Sequence, residues 1–209
     1  MKIRKLAIAA MALTLAGSIA VASPASADDS LPTLAGILDA QGGGTDRNWY
    51  DFDILAAGVN AAGLRETLDT PGLNATVFIP NDRAFQVLVA DLFGWRFFFA
   101  NEATILNKLV ELETASPGTL ATVITYHVLA LELGQIDSAT ALSVPRGTAL
   151  PTLQGGEIKI FPNARWGTAV LSDQDPNDIN PRLIRSKLDI QASNGIAHGI
   201  SFVLRPADL

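Results

Sequence analysis

Cysteine is absent from this chain of 209 residues, which also has only two histidines and two methionines. Disulfides, thiolate metal sites, iron–sulfur clusters and a cysteine nucleophile are therefore excluded, and sites for soft metals are disfavoured. Beyond the N-terminus the sequence also lacks any apolar run of the roughly 18–20 residues that cross a bilayer, so no membrane span is predicted. The length suits one globular domain that is stabilised by its core alone.

Residues 1–27 have the pattern of a secretory signal peptide. Basic residues at positions 2, 4 and 5 precede an apolar stretch, and Ala25-Ser26-Ala27 forms an A-x-A cleavage site. We therefore predict a secreted protein, extracellular or, in a source with an outer membrane, periplasmic. Loss of the three basic residues would leave 12 basic against 21 acidic residues, a net charge of −9. This charge disfavours binding to nucleic acid or to an anionic membrane surface.

The mature chain begins with residues 28–52, which have the composition of a linker or N-terminal extension with one short predicted helix near Leu34 to Leu38. The domain is predicted to span residues 53–206, and 207–209 form a tail. Apolar residues at helical spacing predict four helices in this domain. One lies between residues 54 and 68, one follows the N-cap Asn81, one follows Asn101 and one opens at Ser116-Pro117.

The second half of the chain changes to short β-prone runs separated by Gly, Pro, Asn and Asp. They are 149–153, 157–161, 168–171, 187–192 and 196–204. Helices first and strands later predict an α+β fold and not an alternating βαβ sheet.

Three ordered segments connect these elements: TVFIPNDRAF from Thr76, TYHVL from Thr125 and NGIAHGISFVLRP from Asn194. With the preceding DILAAGVNAAGLRETLD, they resemble the fasciclin (FAS1) domain family over most of the mature chain. The resemblance implies a compact α+β wedge of strands and helices, found in secreted or cell-surface proteins that adhere or bind. Gly199 and Ser201 depart from the family pattern, which usually has an apolar residue and an Asp there.

In animal members of the family, an Asp-Ile pair before the last motif and the Tyr-His region are associated with receptor recognition. The resemblance thus implies binding roles for Asp189, Ile190 and Tyr126. Because neighbours on a strand point to opposite faces, Asp189 is predicted to reach solvent while Ile190 packs. Asp189→Ala would then change stability by less than about 0.5 kcal/mol. A buried, hydrogen-bonded Asp189 is the structural alternative.

His127 and His198 fall at apolar positions of their elements, so we predict structural roles in which a ring nitrogen is hydrogen-bonded, and no metal ligation. Asn194 and Gly195, which open the last motif, are also assigned structural roles. The acidic loop from Asp173 to Asp178 begins like an EF-hand but lacks the Gly at position 6 and the Glu at position 12. Its two interpretations are a solvated turn and a weak calcium contact.

The least family-like segment carries four aromatic residues in five positions: Trp95, Phe97, Phe98 and Phe99. A helix buries only one stripe, and a loop gives its rings even less regular cover. We therefore predict that one or two rings stay exposed as an apolar patch, which usually marks a contact site. The alternative is an insertion that folds back and buries all four rings.

Together these features predict a secreted FAS1 module that binds a protein or polysaccharide at a cell surface or in a matrix, with self-association as a further use of the patch. The alternative is a carrier of a small hydrophobic ligand such as a carotenoid. Motifs such as G-x-S-x-G, H-E-x-x-H and G-x-G-x-x-G do not occur in the sequence. No enzyme activity, metal or cofactor is predicted.

Overall fold

The computed structural model of the protein describes residues 31–40 and 44–207. The predicted signal peptide and residues 208 and 209 of the tail lie outside the described residues. The helices of the described part are α1 (Leu34–Asp39), α2 (Asp53–Ala61), α3 (Arg65–Asp69), α4 (Asp82–Phe93), α5 (Glu102–Ala115), α6 (Thr119–Tyr126) and α7 (Ser138–Ser143). Its strands are β1 (Ala75–Pro80), β2 (Thr148–Pro151), β3 (Glu157–Asn163), β4 (Thr168–Ser172), β5 (Ile190–Ala192) and β6 (Gly195–Ile200).

The strands form two three-stranded sheets. The first has the order β1-β6-β5, with β1 parallel to β6 and β5 antiparallel to it. The second is the antiparallel series β2-β3-β4. Because most helices precede the strands and only β1 is drawn from the helical half, the α+β class predicted from the sequence is confirmed.

Local chemistry explains where the long helices begin. The side chain of Asn81 accepts a hydrogen bond from Ala84 N at 3.1 Å, and Asn101 accepts one from Thr104 N at 2.9 Å. The predicted N-cap Asn81 is therefore confirmed, and Asn101 is the N-cap of the helix predicted to follow it. The predicted helix between residues 54 and 68 is two helices, because Gly63 adopts a left-handed φ of +69° between α2 and α3.

The helix predicted to open at Ser116-Pro117 begins later, at Thr119. Gly118, its N-cap, has a φ of +90°, which lies outside the α-helical region and so delays the first turn. Each predicted run contains a strand, but the run 187–192 contributes only Ile190–Ala192, since the 3₁₀ helix Arg185–Lys187 precedes it. The run 196–204 is a strand only as far as Ile200.

Two apolar clusters stabilise the fold. One joins buried side chains of α1, α2 and α4–α6 to β1, and the other lies between the second sheet, Tyr126 and Leu204. All six residues of β1 and all six of β6 are buried. β6 is therefore covered on both faces, as is usual for a strand with a parallel neighbour.

The described part of segment 28–52, predicted to be a linker or N-terminal extension, packs on the domain. The predicted short helix is present as α1, and Leu34, Ala35, Ile37 and Leu38 are buried in the first apolar cluster. Glycine and polar residues around α1 suggested linker composition, but the apolar residues of one short helix are enough to dock it on the domain.

No helix in residues 31–40 and 44–207 combines the length and apolar composition that crossing a membrane requires.

Candidate binding surface

The aromatic segment forms a 3₁₀ helix, Trp95–Phe99, directly after α4. It is thus neither the α-helix nor the loop considered from the sequence, because Gly94 turns the chain with a φ of +107° and a tighter helix follows. Three residues per turn place residues i and i+3 over one another. Trp95 accordingly stacks on Phe98 with 6.4 Å between ring centroids.

Phe99 completes this arrangement with edge-to-face contacts of 5.2 Å to Trp95 and 5.7 Å to Phe98. Trp95 is 72% exposed and Phe99 is 74% exposed, whereas Phe98 is partly buried. Phe97 points elsewhere, packing edge-on against Phe93 and on the first apolar cluster. The predicted exposure of one or two rings is confirmed, and the alternative of complete burial is wrong. We call Trp95, Phe98 and Phe99 the aromatic patch.

Cationic side chains lie around these rings although the chain as a whole is acidic. The guanidinium carbon of Arg83 lies 4.0 Å from the centroid of Phe98, and that of Arg96 lies 4.9 Å from the centroid of Phe97. Lys108 Nζ lies 5.4 Å from the same Phe97 ring. Such contacts hold the cations over ring faces at the edge of the patch, where they also attract anionic groups.

A groove of about 710 Å³ adjoins the aromatic patch. Phe98 forms part of its wall, so the patch and the groove are continuous. Its lining is mostly apolar, with charged groups from two residues: Arg83 and Lys187. The residues that supply the apolar walls are Tyr50, Val87, Ile179, Ile184 and Phe202.

No local sequence pattern indicates this groove. Its walls come from the segment before α2, from α4, from the 179–187 stretch and from the end of the last motif, which only the tertiary structure brings together. In the structure, the groove is marked by two large apolar side chains that are exposed, Tyr50 and Ile179. An apolar concavity with a few convergent polar groups is the usual form of a ligand site. We call the patch and the groove together the binding surface.

Asp189 does not have the simple strand geometry that the sequence predicted. It precedes β5, has a left-handed φ of +53°, and accepts hydrogen bonds from Ser138 N at 2.7 Å and from Ser138 Oγ. Its side chain is nevertheless 39% exposed, and Ile190 is partly buried on the first apolar cluster. Strand alternation does not apply at this position because the strand begins only at Ile190. The expectation that Asp189→Ala changes stability by less than about 0.5 kcal/mol therefore no longer holds.

Tyr126 is a core residue. Its ring is fully buried, its hydroxyl donates a hydrogen bond to Glu157 O at 2.7 Å, and burial raises its pKa. A side chain without exposed surface cannot contact a partner in this conformation. The structure thus contradicts the binding role that the resemblance implied for Tyr126.

Both histidines are buried and hydrogen-bonded through two ring nitrogens. His127 Nδ1 contacts Val123 O at 2.7 Å, and its Nε2 accepts from Leu204 N at 3.0 Å. His198 Nε2 contacts Ile136 O at 2.8 Å, and its Nδ1 accepts from Asp189 N at 3.2 Å. In each ring one nitrogen donates and the other accepts, which is the neutral form.

Burial lowers the pKa of both imidazoles, that of His127 to about 4. This geometry matches the structural role predicted for the two histidines.

The acidic loop is neither a solvated turn nor a calcium loop. Arg205, itself buried, places Nε 2.9 Å from Asp178 Oδ2 and Nη1 3.3 Å from the buried Asp175 Oδ2. Its Nη2 also contacts Asp91 Oδ2 at 2.9 Å, and its backbone N donates to Asp173. A guanidinium therefore supplies the positive charge that a cation would bring. The sequence could not show this, because Arg205 is 27 or more residues away from the loop.

A sequence profile of the fasciclin domain matches residues 50–206. The chain belongs to the fasciclin family. It is similar to transforming growth factor-beta-induced protein ig-h3 from Sus scrofa, with 31% identity over 157 residues that make up 74% of this chain and 18% of the relative. Among solved structures, it is similar to a FAS1 domain pair from the insect cell adhesion molecule fasciclin I, with a TM-score of 0.55 and 17% identity.

The match to that domain pair covers 83% of this chain and 51% of the other, and at this identity it shows the shared fold alone. The chain thus spans about a fifth of the curated relative and about half of the solved structure. The family inferred from the three motifs is confirmed.

The structure accounts for the two departures from the family pattern. A Cβ at Gly199 would come within 2.6 Å of Lys187 Cβ, so the 3₁₀ helix before β5 leaves no room for a larger apolar side chain. Ser201 Oγ accepts a hydrogen bond from Arg182 N at 3.0 Å. A hydroxyl thereby takes the acceptor role that a carboxylate could fill at this position.

Proposed function

We propose that this fasciclin-family protein is a secreted binding or adhesion module that recognises a protein or polysaccharide at a cell surface or in a matrix. The contact is made by the binding surface. One observation carries the proposal: Trp95 and Phe99 are more than two-thirds exposed and are continuous, through Phe98, with an apolar groove.

Exposed aromatic rings favour this role because they are costly to leave in water and are enriched at interface hot spots. The 3₁₀ helix fixes the rings against one another, so little conformational entropy is lost when a partner covers them. Flat ring faces also suit the apolar faces of sugar rings, and the cations Arg83 and Arg96 suit anionic groups beside them.

Binding of the full chain to envelope material or matrix from its producing organism tests the proposal. Trp95→Ala with Phe99→Ala should weaken retention at least about tenfold while the fold is kept, since both side chains are mostly exposed. Trp166→Ala is the matched control: Trp166 is 60% exposed beside Arg165 but lies outside the binding surface. Equal loss in the control, or no loss in the double variant, would contradict the proposal.

Asp189 and Ile190 form a second proposed contact point. Support comes from the exposed fraction of the Asp189 carboxylate, which keeps room for a partner beside its bonds to Ser138. Asp189→Asn keeps the size and tolerates a left-handed φ. If the charge contacts a partner, this variant should bind less tightly without a comparable loss of stability.

A carrier of a small hydrophobic ligand such as a carotenoid is a second candidate function. It is favoured by the volume and apolar lining of the groove, which fall within the range of small-molecule sites. Protein purified from its native source should then show a visible absorbance band, and Phe202→Asp should abolish that band. A colourless, ligand-free preparation would exclude a bound polyene.

Secretion and the absence of catalysis are parts of the same proposal. N-terminal sequencing of secreted material should read from Asp28, and intact Met1 on extracellular protein would contradict the signal peptide. Turnover of any substrate in a broad panel of esters and glycosides would contradict a purely binding role.

A further inference from the structure

Five carboxyl groups converge where three helices begin. Asp53, Asp82 and Glu102 are the first residues of α2, α4 and α5, and Asp46 and Asp51 come from the loop before α2. One oxygen each from Asp51, Asp53 and Asp82 lie within 4.8 Å of one another. The same holds for Asp46, Asp53 and Glu102. We call these five residues the carboxylate cluster.

Three of these groups have a buried oxygen that lacks a hydrogen-bond partner among the described residues: Asp51 Oδ1, Asp82 Oδ2 and Glu102 Oε1. Asp82 and Glu102 are both 0% exposed. Their other oxygens are occupied, since Asp82 Oδ1 accepts from Ile54 N at 3.0 Å and Glu102 Oε2 accepts from Asp46 N at 2.5 Å. A buried carboxylate oxygen without a partner is costly, so these atoms themselves indicate a missing ligand.

Three buried carboxylates of the cluster also lack a positively charged partner among the described residues. In residues 31–40 and 44–207, no lysine or arginine forms an ion pair with Asp51, Asp82 or Glu102. The loop 173–178 provides an internal contrast, because Arg205 neutralises its buried Asp175 and its neighbour Asp178. In the loop 173–178 a guanidinium thus balances the buried acidic groups, whereas none balances these three carboxylates of the cluster.

The N-termini of the three helices offset part of the negative charge of the carboxylate cluster, but not all of it. Each of the three helices directs partial positive charge toward its first residue, and Ile54 N supplies one hydrogen bond. Burial, and then the neighbouring Asp51, still raise the pKa of Asp82 far above its ordinary value, and burial raises that of Glu102.

We propose that the carboxylate cluster binds a divalent cation, held by Asp51, Asp53 and Asp82, with Glu102 and Asp46 completing its coordination. The site goes beyond the proposed function and does not rest on it.

The chemical type of the donor atoms indicates which metal the cluster would bind. All donors are carboxylate oxygens, which suit hard cations and not the softer metals that prefer imidazole or thiolate. Ca²⁺ accepts six to eight oxygens in irregular geometry, including bidentate carboxylates, whereas Mg²⁺ keeps several waters in strict octahedral geometry. A crowded, largely buried group of five carboxylates therefore favours Ca²⁺.

The bound cation would fasten the loop before α2 to the helices that carry the binding surface. Two backbone contacts already join them: Asp82 N donates to Asp51 O at 3.2 Å, and Arg83 N donates to Trp49 O at 3.0 Å. Tyr50 and Arg83, which line the groove, flank these contacts. Cation binding is thus expected to order one wall of the groove.

Terbium luminescence of the full chain after chelator treatment tests the site directly. Tb³⁺ replaces Ca²⁺ at oxygen sites, and Trp49, two residues before Asp51, would sensitise its emission. We expect saturable emission at one ion per chain that Ca²⁺ displaces, with a calcium dissociation constant on the order of 0.1–1 mM. Calcium should also raise the melting temperature by about 3–8 °C.

Asp51 and Asp82 could alternatively share a proton in place of a cation. Variants distinguish these two occupants. Asp82→Asn and Glu102→Gln should each weaken calcium binding at least about tenfold, because each removes one ligand charge. Asp178→Asn, in the loop neutralised by Arg205, should leave it unchanged. Trp49→Phe should lose the terbium emission but keep the calcium-dependent rise in melting temperature.

The proposal is overturned if wild-type protein shows no saturable binding and no thermal shift in millimolar calcium. It is equally overturned if Asp82→Asn binds calcium as tightly as the wild type, since Asn would then merely replace a protonated Asp.

Discussion

The side chain of Asn194 accepts a hydrogen bond from the backbone N of Leu34 at 2.8 Å, across 160 residues of sequence. Its Nδ2 donates to Leu68 O and to Thr70 O, each at 2.9 Å. One amide therefore joins the start of α1 and the end of α3 to the residue before β6. This explains physically why the last motif opens with Asn.

Asn194→Ala should lower the free energy of unfolding by about 2–4 kcal/mol, because three hydrogen bonds are lost and buried backbone groups are left without partners. Urea denaturation would measure the loss. Asn60→Ala is the control, since Asn60 is exposed on α2 and should change stability by less than about 0.5 kcal/mol. Similar values for the two variants would contradict the role of Asn194.

Gly195 is required by the close approach of its neighbours. A Cβ there would lie 2.6 Å from Ala75 O, a backbone atom of the paired strand, and 2.7 Å from Leu34 Cδ1. Gly195→Ala should therefore destabilise by about 1–3 kcal/mol through overpacking.

The matched control is Gly58→Ala in α2, where a Cβ would meet only Ile124 Cδ1 at 3.9 Å. This substitution should stabilise by about 0.5–1 kcal/mol, since Ala is the better helix former. Opposite signs in thermal unfolding are the expected result, and a neutral Gly195→Ala would contradict it.

Much of the fold follows from local sequence patterns. The N-cap Asn81, the helix after Asn101 and the β-prone runs depend on residues a few positions apart, and the structure has a helix or a strand at each of these places. Two of the failures are at glycines. Gly63 and Gly118 adopt positive φ and interrupt or delay helices whose apolar periodicity continues past them.

The candidate site was less accessible to sequence analysis. Exposure of one or two rings of the segment 95–99 could be inferred, because four rings in five residues cannot share one buried stripe. The groove and the carboxylate cluster could not, since each joins segments that are far apart in the chain. The burial of Tyr126 and the left-handed conformation of Asp189 are likewise tertiary facts, which the family resemblance did not supply.

His127 should titrate far below the ordinary range. Its folded-state pKa of about 4 lies below the unfolded value of about 6.5, so its contribution to stability is fully present above pH 6.5. That contribution, on the order of 3 kcal/mol, is lost as the pH falls through about 4. The NMR signal of the His127 ring should stay constant from pH 8 to pH 5.

A His127→Gln variant separates this effect from general acid unfolding. Gln can make similar hydrogen bonds but does not titrate, so its stability should fall less steeply than that of the wild type between pH 6.5 and pH 4. An ordinary titration of the His127 signal near pH 6.5 would show that the ring is not buried in its neutral form.

Asp189→Ala should destabilise by about 1–2 kcal/mol, in contrast to the neutral effect expected for a strand residue in solvent. It removes two acceptors from Ser138 and places Ala at a φ of +53°. Asp189→Gly loses the same acceptors but relieves the backbone, and should therefore be less destabilising. Thermal unfolding of the two variants separates side-chain from backbone effects, and equal losses would show that φ contributes nothing.

The indole of Trp95 should be as open to water as its exposure implies. In a variant with Trp49→Phe and Trp166→Phe, its emission should be red-shifted and quenched by acrylamide nearly as efficiently as that of free indole. Removing Phe99 tests the edge-to-face contact of 5.2 Å, because Phe99→Ala should make quenching more efficient still. Addition of a partner that covers the binding surface should protect the indole and shift its emission to the blue. A protected indole in the free monomer would mean that the patch is already covered, and the surface could not then serve as the contact.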